Sequence, residues 1–330
     1  PLAMSSAASD VYKRQLTRAP KEDVYAQIEL DLQNAIGSLP DSQSQFGRVN
    51  KYTASALLGK VLLYQDKFNE AASALDNVIG VYSLVSDYGS QFLRFGENGP
   101  ESVFEIQYSN QSNWYDWGCA HCSEGNYAII MNGPRGWSGP EYAQGWSFNV
   151  PTEEFYNSFE DGDSRRDATV LDIEAFASAT GSIYTEGYDH TGYFNNKYIP
   201  RAGESGGQTE LNYLTNFRII RYSDVLLMAA EAYNRGGIDD GLAQEFLNQV
   251  RRRAFGDNDH DISASGTALT DAIWEERKFE LSLEGHRFFD LVRTGRASSL
   301  IPGFVEGKHE VFPIPQQEID ISGLIQNAGY

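Results

Sequence analysis

The sequence predicts a mainly α-helical fold, a tetratricopeptide-like scaffold of helical repeats carrying a large irregular, loop-rich insertion. Three observations predict it: helix-turn-helix patterns towards both ends of the chain, a middle of different texture between them, and a charged stretch, Trp274 to Arg293, that the remainder is organised to receive. Residues 1–15 show neither helical nor strand periodicity and are set apart as a tail. Residues 16–330 read as one domain. It comprises helical repeats over 20–80, the insertion over 81–213, further repeats and the charged stretch over 214–300, and a C-terminal tail over 301–330.

In chain order, Pro20 suits a first helical turn, and Tyr25, Ile28, Leu32, Ile36 and Leu39 step by three and four until Pro40 stops the helix. Thr53 to Tyr64 and Phe68 to Ile79 form a helix pair around a short turn, with Ala71, Ala72 and Ala74 small enough for close approach. Ser102 to Tyr108 alternates like a strand. Beyond the insertion, Ile219, Tyr222, Leu226, Ala229 and Tyr233 lie on one helical face, Gly236-Gly237 breaks the chain, and Leu242, Phe246, Val250 and Ala254 continue it.

Composition narrows the function classes. A chain of 330 residues with 41% hydrophobic and 13% aromatic content builds a sizeable core. Twenty-six basic against 46 acidic residues leave a formal charge of −20, which repels a phosphate backbone, so nucleic acid is not an expected partner. No apolar run approaches the roughly 20 residues of a spanning helix.

In the charged stretch, Thr270 reads as N-cap between the staple residues Leu269 and Trp274, and Gly285 as a left-handed cap before a second short helix, His286 to Val292. Glu276, Glu280 and Glu284 repeat every four residues and repel one another along one face, so they require outside cations. Arg251, Arg252, Arg253, Arg277, Arg287 and Arg293 are the donors at hand. Paired carboxylates can perform acid and base catalysis, but Glu and Arg interleaved at helical spacing more often form a structural network. The predicted network is Arg221, Arg252, Glu276, Arg277, Glu280, Glu284 and Arg287, with no catalytic residue.

Trp274 to Arg293 resembles the C-terminal signature of the SusD/RagB family, ERxxELxxEGxRxxDLxR, at Glu276, Arg277, Glu280, Leu281, Glu284, Gly285, Arg287, Asp290, Leu291 and Arg293. The stretches Arg221 to Arg235, Leu247 to Ala254, Ile28 to Pro40 and Gly47 to Ile79, and the ending VFPIPQQEID with QNAGY, are similar to the family as well, so the resemblance covers about residues 20–330. It implies a non-catalytic lipoprotein on the outer face of an outer membrane that captures oligo- or polysaccharide. The glycan would pass to a SusC-like TonB-dependent transporter. The resemblance also implies a secretion signal, a lipid-bearing cysteine and an opening helical segment that this chain does not show, and hence an N-terminally truncated form.

Within the insertion, Trp114, Trp117, Trp137 and Trp146 fall within 33 residues of one another, beside Tyr115, Tyr127, Tyr142 and glycines at 118, 125, 133, 136, 139 and 145. Rings on glycine-permitted loops point to flat faces displayed for stacking on sugar C–H surfaces, with Asn113, Asn126 or Asn132 bonding hydroxyls. The expected ligand contacts are Trp114, Trp117, Trp137, Trp146, Tyr115, Tyr142 and Asn113, and the segment Tyr184 to Tyr198 is the next place to look. The opposing reading makes the rings anchors that pack the loops. Cys119 and Cys122 with one histidine supply too few metal ligands, leaving a local disulfide or two free thiols. Asp257 to Asp261 begins like a calcium loop but has Ile262 in place of the glycine, and so reads as a solvated turn. Glu153-Glu154 and Asp161 to Arg166 read as a capped helix and its exit. No cofactor or metal is expected. Three alternatives stay open: a glycosidase using Asp116, Glu124 or Glu141, a peptide-capturing member of the same family, and a helical-repeat adaptor.

Overall fold

The computed structural model describes residues 18–111, 117–206 and 211–330. They fall into two compact units, Leu32–Gly285 and the described part of Pro1–Asp31 with His286–Tyr330. The predicted tail, 1–15, lies outside the described residues.

Helix α1 (Lys21–Ser38) leads into the pair α2 (Lys51–Leu63) and α3 (Phe68–Asp76). Asn50 starts α2, its Oδ1 accepting from Thr53 N at 2.9 Å. Ala71, Ala72 and Ala74 are buried as the pattern predicts. A Cβ at Gly59 of α2 would lie 2.5 Å from Leu75 of α3, so the pair is in close contact.

The insertion follows with β1 (Ser102–Ile106), α4 (Ala128–Met131), β2 (Arg135–Ser138), α5 (Glu153–Tyr156), α6 (Arg165–Thr169), β3 (Val170–Asp172), α7 (Ile173–Thr180), β4 (Ile183–Thr185) and β5 (Tyr193–Asn195). Then come β6 (Phe217–Arg221), α8 (Tyr222–Arg235), α9 (Asp240–Phe255) and α10 (Gly266–Glu280). The strands pair antiparallel as β1 with β6, β2 with β4 and β3 with β5.

Three boundaries differ from expectation. Ile219 belongs to β6 and not to the helix, because Phe217–Arg221 pairs with β1, placing Arg218 opposite Glu105. Helix α8 is buried at every position except Tyr233 and Arg235. A helix apolar or buried all round is a central one, and α8 packs against α3, α9 and α10. The helix expected to start at Thr270 starts instead at Gly266, whose N–H is taken by Asp240 Oδ2 at 2.7 Å. A tertiary contact thus supplies the cap that local sequence assigned to Thr270. At its other end α10 stops at Glu280, short of the cap expected at Gly285, and a turn carries the chain on to Gly285, with left-handed φ at Leu283 (+62°) and Gly285 (+86°). The Glu280 carbonyl accepts from Tyr88 Oη at 2.7 Å and Arg221 Nη2 at 2.9 Å, and Lys197 Nζ bonds the Glu280 and Ser282 carbonyls at 3.1 and 2.8 Å. Side chains therefore satisfy the carbonyls that a continuing helix would have used.

The second unit holds α11 (Arg287–Arg293), α12 (Ala297–Leu300) and α13 (Gln316–Ser322). Within it Arg293 pairs with Asp290 at 2.8 Å, and Ile314 and Gln326 exchange hydrogen bonds at 2.8 and 2.9 Å. No helix among the described residues is long and apolar enough to cross a membrane.

Candidate functional site

The carboxylate stripe is a buried ion-pair network. Glu276 meets Arg165 and Arg251 at 2.5 and 2.8 Å, Glu280 meets Arg253, Arg221 and Arg165 at 2.6, 2.9 and 3.2 Å, and Glu284 meets Arg221 and Lys197 at 2.8 and 2.7 Å. Burial pushes the Glu280 carboxyl up, yet Arg253, Arg221 and Arg165 overrule it and hold it well below its ordinary value. Two predicted members stand elsewhere. Arg252 turns to Asp261 and Glu245, and Arg277 to Asp224. The sites they were expected to fill are taken by Arg165, which the sequence places in a helix exit, and by Lys197. Both are fully buried, and they sit 111 and 87 residues from their partners in the chain. Arg287 opens α11 in the second unit. Every acid of the stripe is engaged by at least two cations, the arrangement of a structural ion-pair network.

The aromatic group divides. Trp114, Tyr115 and Asn113, with Asp116, lie outside the described residues. Trp137 and Tyr142 are corrected from display to core: both are buried, Trp137 with its centroid 5.9 Å from those of Tyr142 and Phe176, and Tyr142 5.0 Å from Phe176. Burial raises the Tyr142 hydroxyl to about 12. Glycine and aromatic density here serves a satellite core under the loops. Asn126 is buried with both amide ends engaged, by Thr215 O at 2.9 Å and Ala128 N at 3.1 Å. Cys119 and Cys122 are joined by a disulfide. Of the acids considered for hydrolysis, Glu141 is exposed and paired with Arg201 at 3.1 Å, and Glu124 is exposed.

What is displayed is a ridge of three rings. Trp117, 54% exposed, stacks on half-buried Trp146 with centroids 5.7 Å apart and planes 29° apart, and Phe148, 51% exposed, meets Trp146 edge-on at 6.2 Å. The ridge is fixed from beneath by the end of α4. The N–H groups of Trp146 and Phe148 donate to Ile130 O at 2.9 Å and Met131 O at 2.8 Å, carbonyls that the short helix leaves open. Gly145 and Gly133 cross so closely that a Cβ on Gly145 would lie 2.4 Å from Gly133 Cα. Ser147 and Asn149, on either side of Phe148, both take left-handed φ of 57°. Such backbone costs energy for non-glycine residues and persists where the surroundings impose it. Here it shapes the backbone that carries Trp146, which also packs on the buried Tyr88–Phe92–Tyr198 cluster, and exposed Phe148. Arg135 donates to Trp146 O at 2.8 Å and lies 5.9 Å from the Phe148 ring. Phe148 is not among the contacts expected from sequence, although its alternation with Trp146, next to an asparagine that tolerates positive φ, is a signal for it.

Behind Phe148 opens a cleft of about 340 Å³, walled by Met131, Tyr198 and Phe217 and by Asn132, Asn149, Asn195 and Glu284. Tyr188, 91% exposed, is the displayed ring of the segment Tyr184 to Tyr198, while Tyr198 is buried. No group of acidic, histidine or cysteine side chains suited to a metal occurs among the described residues.

The model of the SusD family matches residues 174–300. A SusD-like protein P2 of Formosa agariphila is 30% identical over 96% of this chain and 66% of its own length. A second curated relative from that organism is 22% identical and covered over 64% of its length, so the chain spans just under two thirds of these curated relatives. Among solved structures, a laminarin-binding SusD-like protein is 39% identical with a TM-score of 0.85, covering 94% of this chain and 70% of that one. Surface glycan-binding protein A from Bacteroides thetaiotaomicron, solved in complex with laminarihexaose, is 31% identical with a TM-score of 0.84, covering 93% and 70%.

Proposed function

The chain belongs to the SusD family, and from that premise we propose that it binds an uncharged glycan on its aromatic ridge, without cleaving it, at the outer face of an outer membrane. The observation that carries this reading is the exposed Trp117 stacked on Trp146 beside exposed Phe148. Apolar rings left in water on a strained, well-bonded backbone add little to the core, and flat ring faces match the C–H faces of sugars. A chain charge of −20 disfavours anionic polysaccharides. The names of the relatives make a laminarin-type glucan the first ligand to try.

Affinity electrophoresis against a panel of neutral and acidic polysaccharides tests the reading. Retention by a neutral glucan should fall sharply in Trp117→Ala and Phe148→Ala, while stability stays within about 0.5 kcal/mol of the parent, as for other surface changes. It should be unchanged between low and high salt, since stacking releases no counterions. Variants retained like the parent would remove the ridge as the site, and turnover of a chromogenic glycoside would overturn the non-catalytic reading. Delivery to a SusC-like TonB-dependent transporter, with a lipid anchor holding the whole protein at the membrane, completes the proposed role. Co-purification with such a transporter tests it.

A further inference from the structure

The cleft behind Phe148 is more than the underside of the ridge. Asn195 and Asn132 both line it and are buried, with exposures of only 2% and 8%. Each uses half of its amide. Asn195 Oδ1 accepts from Lys197 N at 3.0 Å and Tyr198 N at 3.2 Å, and Asn132 Nδ2 donates to Tyr198 O at 3.0 Å. Among the described residues the other halves, Asn195 Nδ2 and Asn132 Oδ1, have no partner, and neither is among the atoms shut off from the surface without one, so both open to the cleft. Open to the cleft, these two groups are hydrogen-bonding positions that a ligand can take over from water.

These groups define a ligand. One site donates and one accepts, both uncharged, and a hydroxylated ring can answer both because each hydroxyl gives and takes a hydrogen bond. Phe148, Met131 and Phe217 supply apolar walls for ring C–H groups. The charged group at the wall, Glu284, already binds Arg221 and Lys197, so an anion entering the cleft would meet a carboxylate and no available cation among the described lining residues. The volume lies within the about 300–1,000 Å³ of small-molecule sites. We propose that this cleft is a second sugar subsite, holding one uncharged hexose-sized ring between Asn195, Asn132 and Phe148. It rests on the glycan-binding reading above, and Phe148, shared by ridge and cleft, joins the two.

Two variants address the cleft and leave Trp117 and Trp146 in place. Ala128→Trp, at an exposed position on the cleft rim, fills it. Asn195→Asp keeps the oxygen that accepts from Lys197 and Tyr198 and removes the amide hydrogens. Calorimetric titration with laminarihexaose should show affinity falling about tenfold in each, the weight of roughly one good hydrogen bond or ring contact, and the corresponding uronic-acid oligomer should not compete. If both variants bind laminarihexaose as the parent does, the cleft holds water only and the subsite is refuted while the ridge stands. If the parent binds no neutral glucan and Trp117→Ala changes nothing, the function and the subsite fall together. Should Ala128→Trp misfold, Asn195→Asp alone decides.

Discussion

Replacing Glu280 by alanine tests the network at its centre. Arg165, Lys197, Arg221, Arg251 and Arg253 face Glu101, Asp163, Glu276, Glu280 and Glu284, five buried charges of each sign. Glu280 is 0% exposed and touches three of the cations. Its removal therefore leaves a net positive charge in the interior, costing about 3–5 kcal/mol. At about 2–4 °C per kcal/mol for a domain of this size, the melting temperature should fall by roughly 6–20 °C. Glu280→Gln, which keeps the shape and loses only the charge, should fall comparably. The pH dependence follows from a folded-state pKa held below the ordinary 4.5. The stabilisation is fully present above that ordinary value and is lost only as pH falls through the lower folded one. The gap between parent and variant should thus hold from pH 7 to about 5 and close only in stronger acid. Calorimetric melts across that range are the assay. A variant melting with the parent at pH 7, or one that keeps its stability but loses glycan, would refute a structural role for Glu280.

Lys197 shifts parent stability the same way but in an alkaline window, because here it is the charged form that is disfavoured: burial lowers its ammonium to about 8 against the pull of Glu284. Its folded pKa lies below the unfolded one, so between pH 8 and 10.5 the unfolded chain holds the extra proton and parent stability should rise relative to Lys197→Met; a parent losing ground over that range would contradict this. Trp137→Ala should cost about 3–5 kcal/mol in a melt because that ring is core, whereas Trp117→Ala should leave the melt nearly unchanged and remove glycan retention. Gly145→Ala forces a Cβ to within 2.4 Å of Gly133 Cα. It should destabilise by about 1–3 kcal/mol and weaken glucan retention by displacing the Trp146–Phe148 backbone; normal retention would separate the ridge from this crossing.

Residues whose meaning is set by near neighbours are legible in the chain alone. Apolar spacing in 21–38, the alanines of Phe68–Asp76 and the alternation at Ser102–Ile106 each describe a local periodicity that local backbone geometry obeys. The acidic repeat at 276, 280 and 284 likewise announces that cations have to come from outside the helix, and the long signature around it points to the family. Which cations come is decided in three dimensions. Arg165 reaches Glu276 across 111 residues, displacing Arg252 from the role that sequence proximity suggests. The same holds for the rings. Trp117, Trp137 and Trp146 sit in similar glycine-rich surroundings, yet Trp137 is enclosed by Phe176 and its neighbours while Trp117 remains in water. Burial sums contacts with distant residues, and so it is not a property of the flanking sequence. Asn195 and Asn132, 63 positions apart in the numbering and on opposite sides of β3 and β4 in the chain, become a pair only when the fold sets them around one cleft. Periodicity reports how a segment presents its side chains, and only closure of the tertiary structure decides what those side chains meet.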